Sequence, residues 1–278
     1  MTQTELSDEE LERYARHVIL DEVDEEGQIK LLNAKVLMVG AGGLGSPVLL
    51  YLAAAGVGTI GIVDHDVVDL SNLQRQVIHT TDEIGQSKVS SAAEKMEAIN
   101  PDITIHEYRD RINARNALNL IKDYDLVIDG SDNFQARYVV NDACYLLKKP
   151  LVSAALVRFE GQASLYKAYE EDMPCYRCVF PQSPDPDLVP RCDTVGILGP
   201  VAGVLGCLQA TEALKEILGI GTNLAGRLLL FDAMDITMRT IALKKDRNCA
   251  LCGDHPTITA DTIGQGMENG DSSNHEGA

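Results

Sequence analysis

The 278-residue sequence contains no apolar run of the roughly 20 residues that a membrane-spanning helix needs. Its first residues, MTQTELSDEELERYARH, are acidic and include no apolar stretch of the kind found in a secretory signal. These two absences predict a cytoplasmic protein that does not associate with membranes. The hydrophobic content of 45% is nevertheless sufficient for a sizeable core.

Basic residues are also scarce, because 24 Lys and Arg stand against 42 Asp and Glu, for a formal net charge of -18. Nucleic-acid-binding proteins concentrate Lys and Arg, since phosphate contacts dominate their affinity, so direct binding of nucleic acid is not expected. A dense acidic surface favours solubility. It is also tolerated in high salt, where charges are strongly screened. Because the acidic excess runs along the whole chain, we favour adaptation to high salt.

Apolar strands alternate with helices along the first half of the chain. Strands are predicted at residues 35–39, 59–64, 102–108, 125–130 and 150–156, and helices at residues 7–20, 46–55, 83–99, 113–122 and 134–147. This order predicts an α/β class with a Rossmann-like, mostly parallel sheet flanked by helices, connected by right-handed crossovers.

The second half has a different pattern, which predicts additional antiparallel strands completing the same sheet. Strands are predicted at residues 161–169, 226–232 and 236–243, an irregular loop at 170–196, and a helix at 199–218. We expect residues 1–260 to form a single domain. The polar, Gly-rich residues 261–278 are expected to be a disordered tail.

A glycine-rich segment follows the first predicted strand and opens a helix. Gly40, Gly42 and Gly45 match the pattern G-x-G-x-x-G, with Gly43 as a further glycine inside it. Such glycines let backbone N–H groups approach a phosphate at the start of a helix. Asp64 ends the next strand, where an acid can accept hydrogen bonds from ribose hydroxyls. These features predict a nucleotide site but fit an NAD-dependent dehydrogenase as well as an ATP enzyme.

The polar residues beyond this acid favour ATP. Asn72 and Arg75 follow it closely, Lys88 begins a helix, and Asp132 and Asn133 follow another strand. Hydride transfer does not need two cations and a further acid around the phosphates. Cleavage of the α–β phosphoanhydride does, because the departing pyrophosphate builds negative charge that Arg and Lys stabilise. A Mg²⁺ ion bridging the phosphates would need a carboxylate such as Asp132.

Residues 9–252 resemble the ThiF/MoeB/HesA superfamily, the ubiquitin-activating-type adenylyltransferases. The matching segments are RYARHVIL (13–20), VGAGGLGS (39–46), VDHDVVDLSNLQRQ (63–76), GQSK (85–88), DGSDNF (129–134) and two C-x-x-C pairs. The resemblance implies ATP-dependent adenylation of the C-terminal glycine carboxylate of a small ubiquitin-fold protein, with release of pyrophosphate. That carboxylate has a reference pKa of about 3.3–3.7, so it is already ionised and needs no general base to attack the α-phosphate.

The resemblance also implies roles for individual residues. The residues expected to bind Mg-ATP are Gly40, Gly42, Gly43, Gly45, Asp64, Ser71, Asn72, Leu73, Gln74, Arg75, Lys88, Asp132 and Asn133. Arg75, Lys88 and Asp132 are expected to act in catalysis. Arg16 is expected to reach the ATP of the other subunit, which would make a homodimer obligatory.

Four of the seven cysteines form two pairs, Cys175-x-x-Cys178 and Cys249-x-x-Cys252. In a cytosolic chain this spacing predicts metal binding rather than disulfides. A Cys₄ site would hold Zn²⁺ in a structural role, because protein ligands fill all four positions. A redox-active dithiol is the alternative.

Cys192, in PRCDTVG, lies just before a predicted helix. As a thiolate, favoured by Arg191 and the helix N-terminus, it could capture the acyl-adenylate as a thioester. In the resembling family, a cysteine at this position carries the thioester or persulfide in some members. The alternative is an incidental loop cysteine. Cys144 and Cys207 lie in apolar helices and are expected to be core residues.

The resemblance leaves open the step after activation, which is either sulfur transfer for the molybdenum cofactor and tRNA thiolation, or ubiquitin-like conjugation. No C-terminal sulfurtransferase domain is present in this sequence, so a persulfide is expected to come from another protein. Combined with the acidic charge, the resemblance indicates a halophilic archaeon in which one enzyme serves both outcomes.

Two other functions compete with adenylation. An NAD-dependent oxidoreductase accounts for the glycine motif and Asp64 but for nothing else. A non-catalytic scaffold is disfavoured by the intact Arg75, Lys88 and Asp132. No chemistry is assigned to the six histidines, none of which forms a close pair with metal-ligand spacing.

Overall fold

A computed structural model of the chain describes residues 3–183 and 196–264. Its centre is an eight-stranded sheet in the order β3-β2-β1-β4-β5-β6-β7-β8. The strands are β1 (Lys35–Val39), β2 (Thr59–Val63), β3 (Thr104–Tyr108), β4 (Leu126–Asp129), β5 (Leu151–Val157), β6 (Glu160–Tyr166), β7 (Arg227–Asp232) and β8 (Thr237–Ala242). Pairs among β1 to β5 are parallel, and β6, β7 and β8 continue the sheet in antiparallel register. The predicted α/β class, with antiparallel strands added in the C-terminal half, is confirmed.

Helices cover both faces of the parallel part of the sheet. They are α1 (Asp8–Arg13), α2 (Ala15–Val18), α3 (Asp24–Asn33), α4 (Gly45–Ala55), α5 (Lys88–Ile99), α6 (Ala117–Ile121), α7 (Phe134–Leu147), α8 (Tyr176–Val179) and α9 (Gly199–Leu218). One core cluster joins alternate strand residues such as Val36 and Met38 to α4, α5 and α9. The other joins Leu37 and Val39 to α6 and α7. Burial on both faces explains why these strands are continuous apolar runs.

Most predicted elements are observed, and helices 134–147 and 199–218 have the predicted bounds. The predicted helix at 7–20 is divided into α1 and α2, and the capping box at Ser7 and Glu10 is formed. The helix predicted from residue 83 begins at Lys88, because residues 85–88 pair with residues 66–68 and Gly85 has a left-handed φ of 90°. Helix α3 was not predicted, and α8 lies inside the predicted irregular loop.

The C-terminal described residues pack against the domain. Ile258 and Ile263 are buried in the α6–α7 cluster, and the Gly264 N–H donates to Asp142 Oδ2 at 3.0 Å. Residues 261–264, the start of the range predicted as a tail, are therefore ordered against the core, while 265–278 lie outside the described residues. Within the described ranges, no helix combines the length and apolarity needed to cross a membrane.

Candidate active site

The glycine segment forms a tight turn between β1 and α4, at the carboxyl ends of the parallel strands. Gly40 has a φ of 93°, a left-handed conformation that favours glycine. A side chain at Gly45 would collide with the Gly40 carbonyl, and a Cβ at Gly40 would lie 3.0 Å from the Gly130 carbonyl oxygen. The turn lies where the strand order reverses between β1 and β4, the position at which open α/β sheets bind ligands.

Two of the backbone donors of this turn have no partner in the part of the chain that the structure describes. Among the described residues, the N–H groups of Gly42 and Gly43 have no hydrogen-bond acceptor. The Gly42 carbonyl, in contrast, accepts hydrogen bonds from the backbone and the hydroxyl of Ser46, at 2.9 and 2.7 Å. Unpaired N–H groups at the start of a helix favour a phosphate.

Asp64 lies beside the turn, as expected of the ribose acid. Its Oδ2 accepts a hydrogen bond from the Ala41 N–H at 2.8 Å, and its Oδ1 accepts one from the Asp66 N–H at 2.9 Å. A carboxylate has about four lone-pair sites, so each oxygen keeps capacity for a ribose hydroxyl. Asp64 is thus fixed against the turn through the Ala41 N–H.

Arg75 is brought directly beside the glycine turn. A Cβ at Gly43 would lie 3.6 Å from Arg75 Cγ, and the guanidinium Nη1 donates to the Ser71 carbonyl at 2.9 Å. Asp69 caps the short 3-10 turn Leu70–Asn72 and accepts from the Ser71 N–H at 2.8 Å. The segment is pressed against the start of α9, where a side chain at Gly199 would collide with the Gln74 carbonyl.

Lys88 is buried at the first turn of α5, and its Nζ donates to Asp66 Oδ2 at 2.9 Å. The Lys88 N–H also donates to the Asp66 carbonyl at 3.0 Å. Burial alone would raise the pKa of Asp66, but the hydrogen bond and charge of Lys88 outweigh it and lower that pKa. Lys88 is therefore paired with a carboxylate two residues along the chain from Asp64.

Asp132 and Asn133 lie on the loop between β4 and α7. Asp132 is exposed, and in the described part of the chain its carboxylate accepts only a long contact of 3.4 Å from Asn133 Nδ2. Asn133 caps α7, because its Oδ1 accepts from the Ala136 N–H at 2.9 Å. Of the two, Asp132 is the side chain open to an ion, whereas Asn133 has its amide oxygen occupied.

A buried carboxylate that the sequence analysis missed anchors this loop. Asp129 Oδ1 accepts from the N–H and hydroxyl of Ser131 at 3.0 and 2.6 Å, and its Oδ2 accepts from Ser153 Oγ at 2.9 Å. Gln209 Nε2, on α9, donates to the Asp129 carbonyl at 2.8 Å. The available signal was an acid at the carboxyl end of a buried apolar strand.

His79 and Gln76 were missed as well. The His79 ring contacts the Ala41 carbonyl of the glycine turn, with Nε2 at 2.9 Å from the oxygen. Gln76 is buried with its amide 3.7 Å from the Cβ position of Gly42, and its Oε1 has no partner within the described residues. Gln76 closes the segment VDHDVVDLSNLQRQ (63–76) but was given no role, and His79 lies three residues beyond that segment in no pattern with a known spacing.

Arg16 is exposed on α2 and is not brought to the glycine turn of its own chain by any contact that the structure describes. Cys192 lies outside the described residues, so its position is not compared with the site.

Cys144 is buried, as predicted, whereas Cys207 is only half-buried on α9, so the core assignment of Cys207 is corrected. The outward side of α9 leaves it partly accessible.

The two C-x-x-C pairs meet in one cluster. The Sγ–Sγ distances are 3.8 Å for Cys175–Cys178, 3.5 Å for Cys175–Cys249 and 3.3 Å for Cys178–Cys252. A tetrahedral Zn²⁺ with Zn–S bonds of about 2.3 Å separates its sulfurs by about 3.8 Å, so the cluster fits such an ion. All four ligand atoms lie within 4.8 Å of one another, and the cluster can hold a metal ion.

Buried polar contacts attach this cluster to α7. Arg177, inside the first pair, donates two hydrogen bonds to the Asp142 carboxylate, both at 2.7 Å. The Tyr176 N–H donates to Asn141 Oδ1 at 2.9 Å. The cluster therefore lies on the α6–α7 face of the sheet and joins the segment after β6 to the segment after β8.

The fold is of Rossmann type, and Arg75 lies beside the glycine-rich turn at the carboxyl ends of its parallel strands. The chain belongs to the ThiF family, whose pattern matches residues 14–251. It is 48% identical to the sulfur carrier protein adenylyltransferase of Thermus thermophilus, over 90% of this chain and 93% of that protein. It is also 48% identical to the SAMP-activating enzyme E1 of Haloferax volcanii, over 88% of this chain and 90% of that protein.

A longer relative agrees with this assignment, and a solved structure shares the fold. Adenylyltransferase and sulfurtransferase MOCS3 of Sus scrofa is 50% identical over 91% of this chain, which spans only 56% of that protein. A crystal structure of E. coli MccB with ATP has the same fold, with a TM-score of 0.75, 24% identity and 87% of this chain covered, against 74% of that chain. The predicted family and enzyme class, adenylyltransferase, are confirmed, and ATP use follows from that class. The comparisons do not support the NAD-dependent oxidoreductase.

Proposed function

We propose that this enzyme uses ATP to adenylate the C-terminal glycine carboxylate of a small ubiquitin-fold protein and releases pyrophosphate. The observation that carries the proposal is the placement of Arg75 beside the turn whose Gly42 and Gly43 N–H groups are unpaired within the described residues. A triphosphate on this turn would have a guanidinium at its side. The names of the relatives from Thermus and Haloferax support a protein substrate of this kind.

The chemistry follows from the charges around the turn. The substrate carboxylate and the α-phosphate are both anionic, so the enzyme must hold two anions together and stabilise the leaving pyrophosphate. Arg75 and Lys88 supply positive charge, and Asp64 accepts hydrogen bonds from the ribose. No group is required to remove a proton from the nucleophile, since the carboxylate is already ionised.

Two metal ions belong to the proposal. Mg²⁺ would be held at Asp132, an exposed carboxylate two residues beyond Gly130, whose carbonyl adjoins the turn, and would neutralise phosphate charge. Zn²⁺ would be held by the four sulfurs of Cys175, Cys178, Cys249 and Cys252 and would stabilise the fold without taking part in the reaction. A metal ion requires its cysteine ligands as thiolates, so binding at this cluster would release the protons of the four thiols.

The active form is a homodimer in which Arg16 reaches the ATP of the partner subunit. The exposure of Arg16 on α2 supports this arrangement, as do the neighbouring apolar side chains of Ile19 and Leu20, which are 66% and 48% exposed. Exposed apolar side chains of this size next to a functional cation are typical of a surface that another protein covers.

The later steps are proposals that rest on the family. Cys192 would take the acyl group from AMP as a thioester, after which sulfur transfer or conjugation would follow. The cytoplasmic location and the disordered C-terminal tail expected from the sequence stay predictions.

ATP–pyrophosphate exchange tests the function. The enzyme is incubated with ATP, labelled pyrophosphate and each small protein of the same genome that ends in Gly-Gly. Exchange is expected with at least one of these proteins, and the same protein lacking its last glycine or carrying a C-terminal amide should give none. Equal exchange with the amidated protein would contradict attack by the terminal carboxylate, and no exchange with any of them would refute the function.

A further inference from the structure

A histidine contacts the carbonyl side of the peptide group between Ala41 and Gly42. Ala41 is fully buried, and its carbonyl oxygen lies 2.9 Å from His79 Nε2. A carbonyl only accepts hydrogen bonds, so Nε2 carries the hydrogen and His79 is the donor. The N–H of the same residue donates to Asp64, which means that side chains hold both polar groups of Ala41.

The geometry of a trans peptide gives this contact a consequence on the other side. The Ala41 carbonyl and the Gly42 N–H belong to one planar unit and point in opposite directions. With the carbonyl directed towards His79, the Gly42 N–H is directed away from it, and this N–H is one of the two donors that have no acceptor in the described residues. Glycines on both sides of Ala41 would otherwise let this peptide rotate easily.

A buried relay keeps the imidazole in this orientation. Its Nδ1 lies 2.6 Å from Ser91 Oγ on α5, and Ser91 Oγ lies 3.0 Å from Glu83 Oε2. A serine hydroxyl has one hydrogen, so when a neutral His79 receives it at Nδ1, the contact between Ser91 and Glu83 carries no hydrogen bond. A protonated His79 donates to the serine, whose hydrogen then goes to the carboxylate. The Nε2–H contact with Ala41 is kept in both states.

The surroundings of the relay favour the neutral imidazole. Burial lowers the pKa of His79, and the charge of nearby Lys88 acts in the same direction against the opposing effects of the Ala41 hydrogen bond, Glu83 and Asp64. The Nζ atom of Lys95 lies 2.7 Å from Glu83 Oε1. Burial opposes ionisation of Glu83, but hydrogen bonds from Lys95 and Thr80 lower its pKa to about 2.

We propose that His79 is a positioning residue for the nucleotide phosphates, which fixes the Ala41–Gly42 peptide so that the Gly42 N–H faces the bound anion. This inference rests on the proposed function, because the anion is the phosphate chain of ATP. Ser91 acts through His79 and ties the turn to α5, the helix that begins with Lys88. The Gly42 N–H, which would donate to the phosphate, and the Lys88 side chain are therefore positioned by parts of the structure that contact each other.

Substitutions of His79 by amides of two lengths test the proposal. In His79→Gln the amide nitrogen lies near the position of Nε2 and can still donate to Ala41, whereas in His79→Asn it reaches only the position of Nδ1. The KM for ATP in pyrophosphate exchange is expected to rise about tenfold in the Asn variant, the loss of one buried hydrogen bond, and less than about twofold in the Gln variant. The KM for the protein substrate should not change in either. His106→Gln, at an exposed histidine on β3, is the matched control.

A merely structural His79 gives a different result. It would lower the thermal midpoint of both amide variants alike and leave their KM for ATP equal, and that outcome overturns the proposal. In the wild-type protein, the ¹⁵N resonance of His79 Nε2 should shift on saturation with ATP while that of His106 does not, a measurement that holds even if a variant fails to fold. An unchanged His79 resonance also overturns the proposal.

The failure of the proposed function is distinguishable from the failure of this inference. A wild-type enzyme without exchange refutes the function, and titration calorimetry with ATP on the same variants still decides the role of His79. Weaker ATP binding by the Asn variant than by the Gln variant supports that role, and equal binding overturns it. An absence of ATP binding by the wild-type protein overturns both.

Discussion

The structure constrains the expected loss of activity most directly for a replacement of Arg75. Of the five N–H donors of its guanidinium, one is used on the Ser71 carbonyl at 2.9 Å, which leaves most of the fork for the phosphates. Loss of one preorganised donor to a developing anion costs roughly 10²–10³-fold in kcat. Because Arg75 is only half-buried rather than enclosed, we expect the lower end, about 10²-fold or about 2.7 kcal/mol, for Arg75→Ala.

The assay is pyrophosphate exchange at saturating ATP and protein substrate, with thermal unfolding measured in parallel. Arg75→Lys keeps the charge but loses the planar fork, so its loss should be intermediate, about tenfold. The free energy of unfolding should change by less than about 0.5 kcal/mol, as for other partly exposed positions. Arg115→Ala, at an exposed arginine before α6, is the matched control and should retain full activity. Exchange by Arg75→Ala within twofold of the wild-type rate would refute the reasoning.

Four further predictions concern the metal, the thioester, the dimer and the charge. Elemental analysis should find about one Zn²⁺ per chain in the wild-type protein and none in Cys249→Ser, whose thermal midpoint should also be lower. A wild-type protein without zinc contradicts the assignment. Cys192→Ala should keep exchange but lose any hydroxylamine-sensitive thioester, so a thioester in that variant excludes Cys192 as its site. Arg16→Ala and Lys88→Ala should each be inactive alone, yet after subunit mixing should recover about a quarter of the activity, because half the dimers then contain one intact site; no recovery argues against a shared site. The net charge of -18 predicts that activity persists in molar KCl, and a fall between low and molar KCl would remove the case for salt adaptation.

Regular elements and motif positions were predictable because their signals are local. The apolar runs of β1 and β2, the glycines between β1 and α4, and the full extents of α7 and α9 were all read from short windows of sequence. The two C-x-x-C pairs were recognised in the same way. Helix boundaries failed where a tertiary contact competes with helix formation, as at residues 85–88, whose backbone pairs with residues 66–68 instead.

The amino-acid sequence by itself determined the order of the eight strands and most helices, the glycine turn after β1, and the likeness to one enzyme family. Only the tertiary structure decided that His79 contacts Ala41 across 38 positions, and that Cys175 meets Cys249 across 74. It also decided that the Asp129 carboxylate turns inward to anchor the loop bearing Asp132. Periodicity along a chain reports which face of an element is buried, whereas these contacts depend on which strands become neighbours and on the direction in which each side chain leaves the backbone.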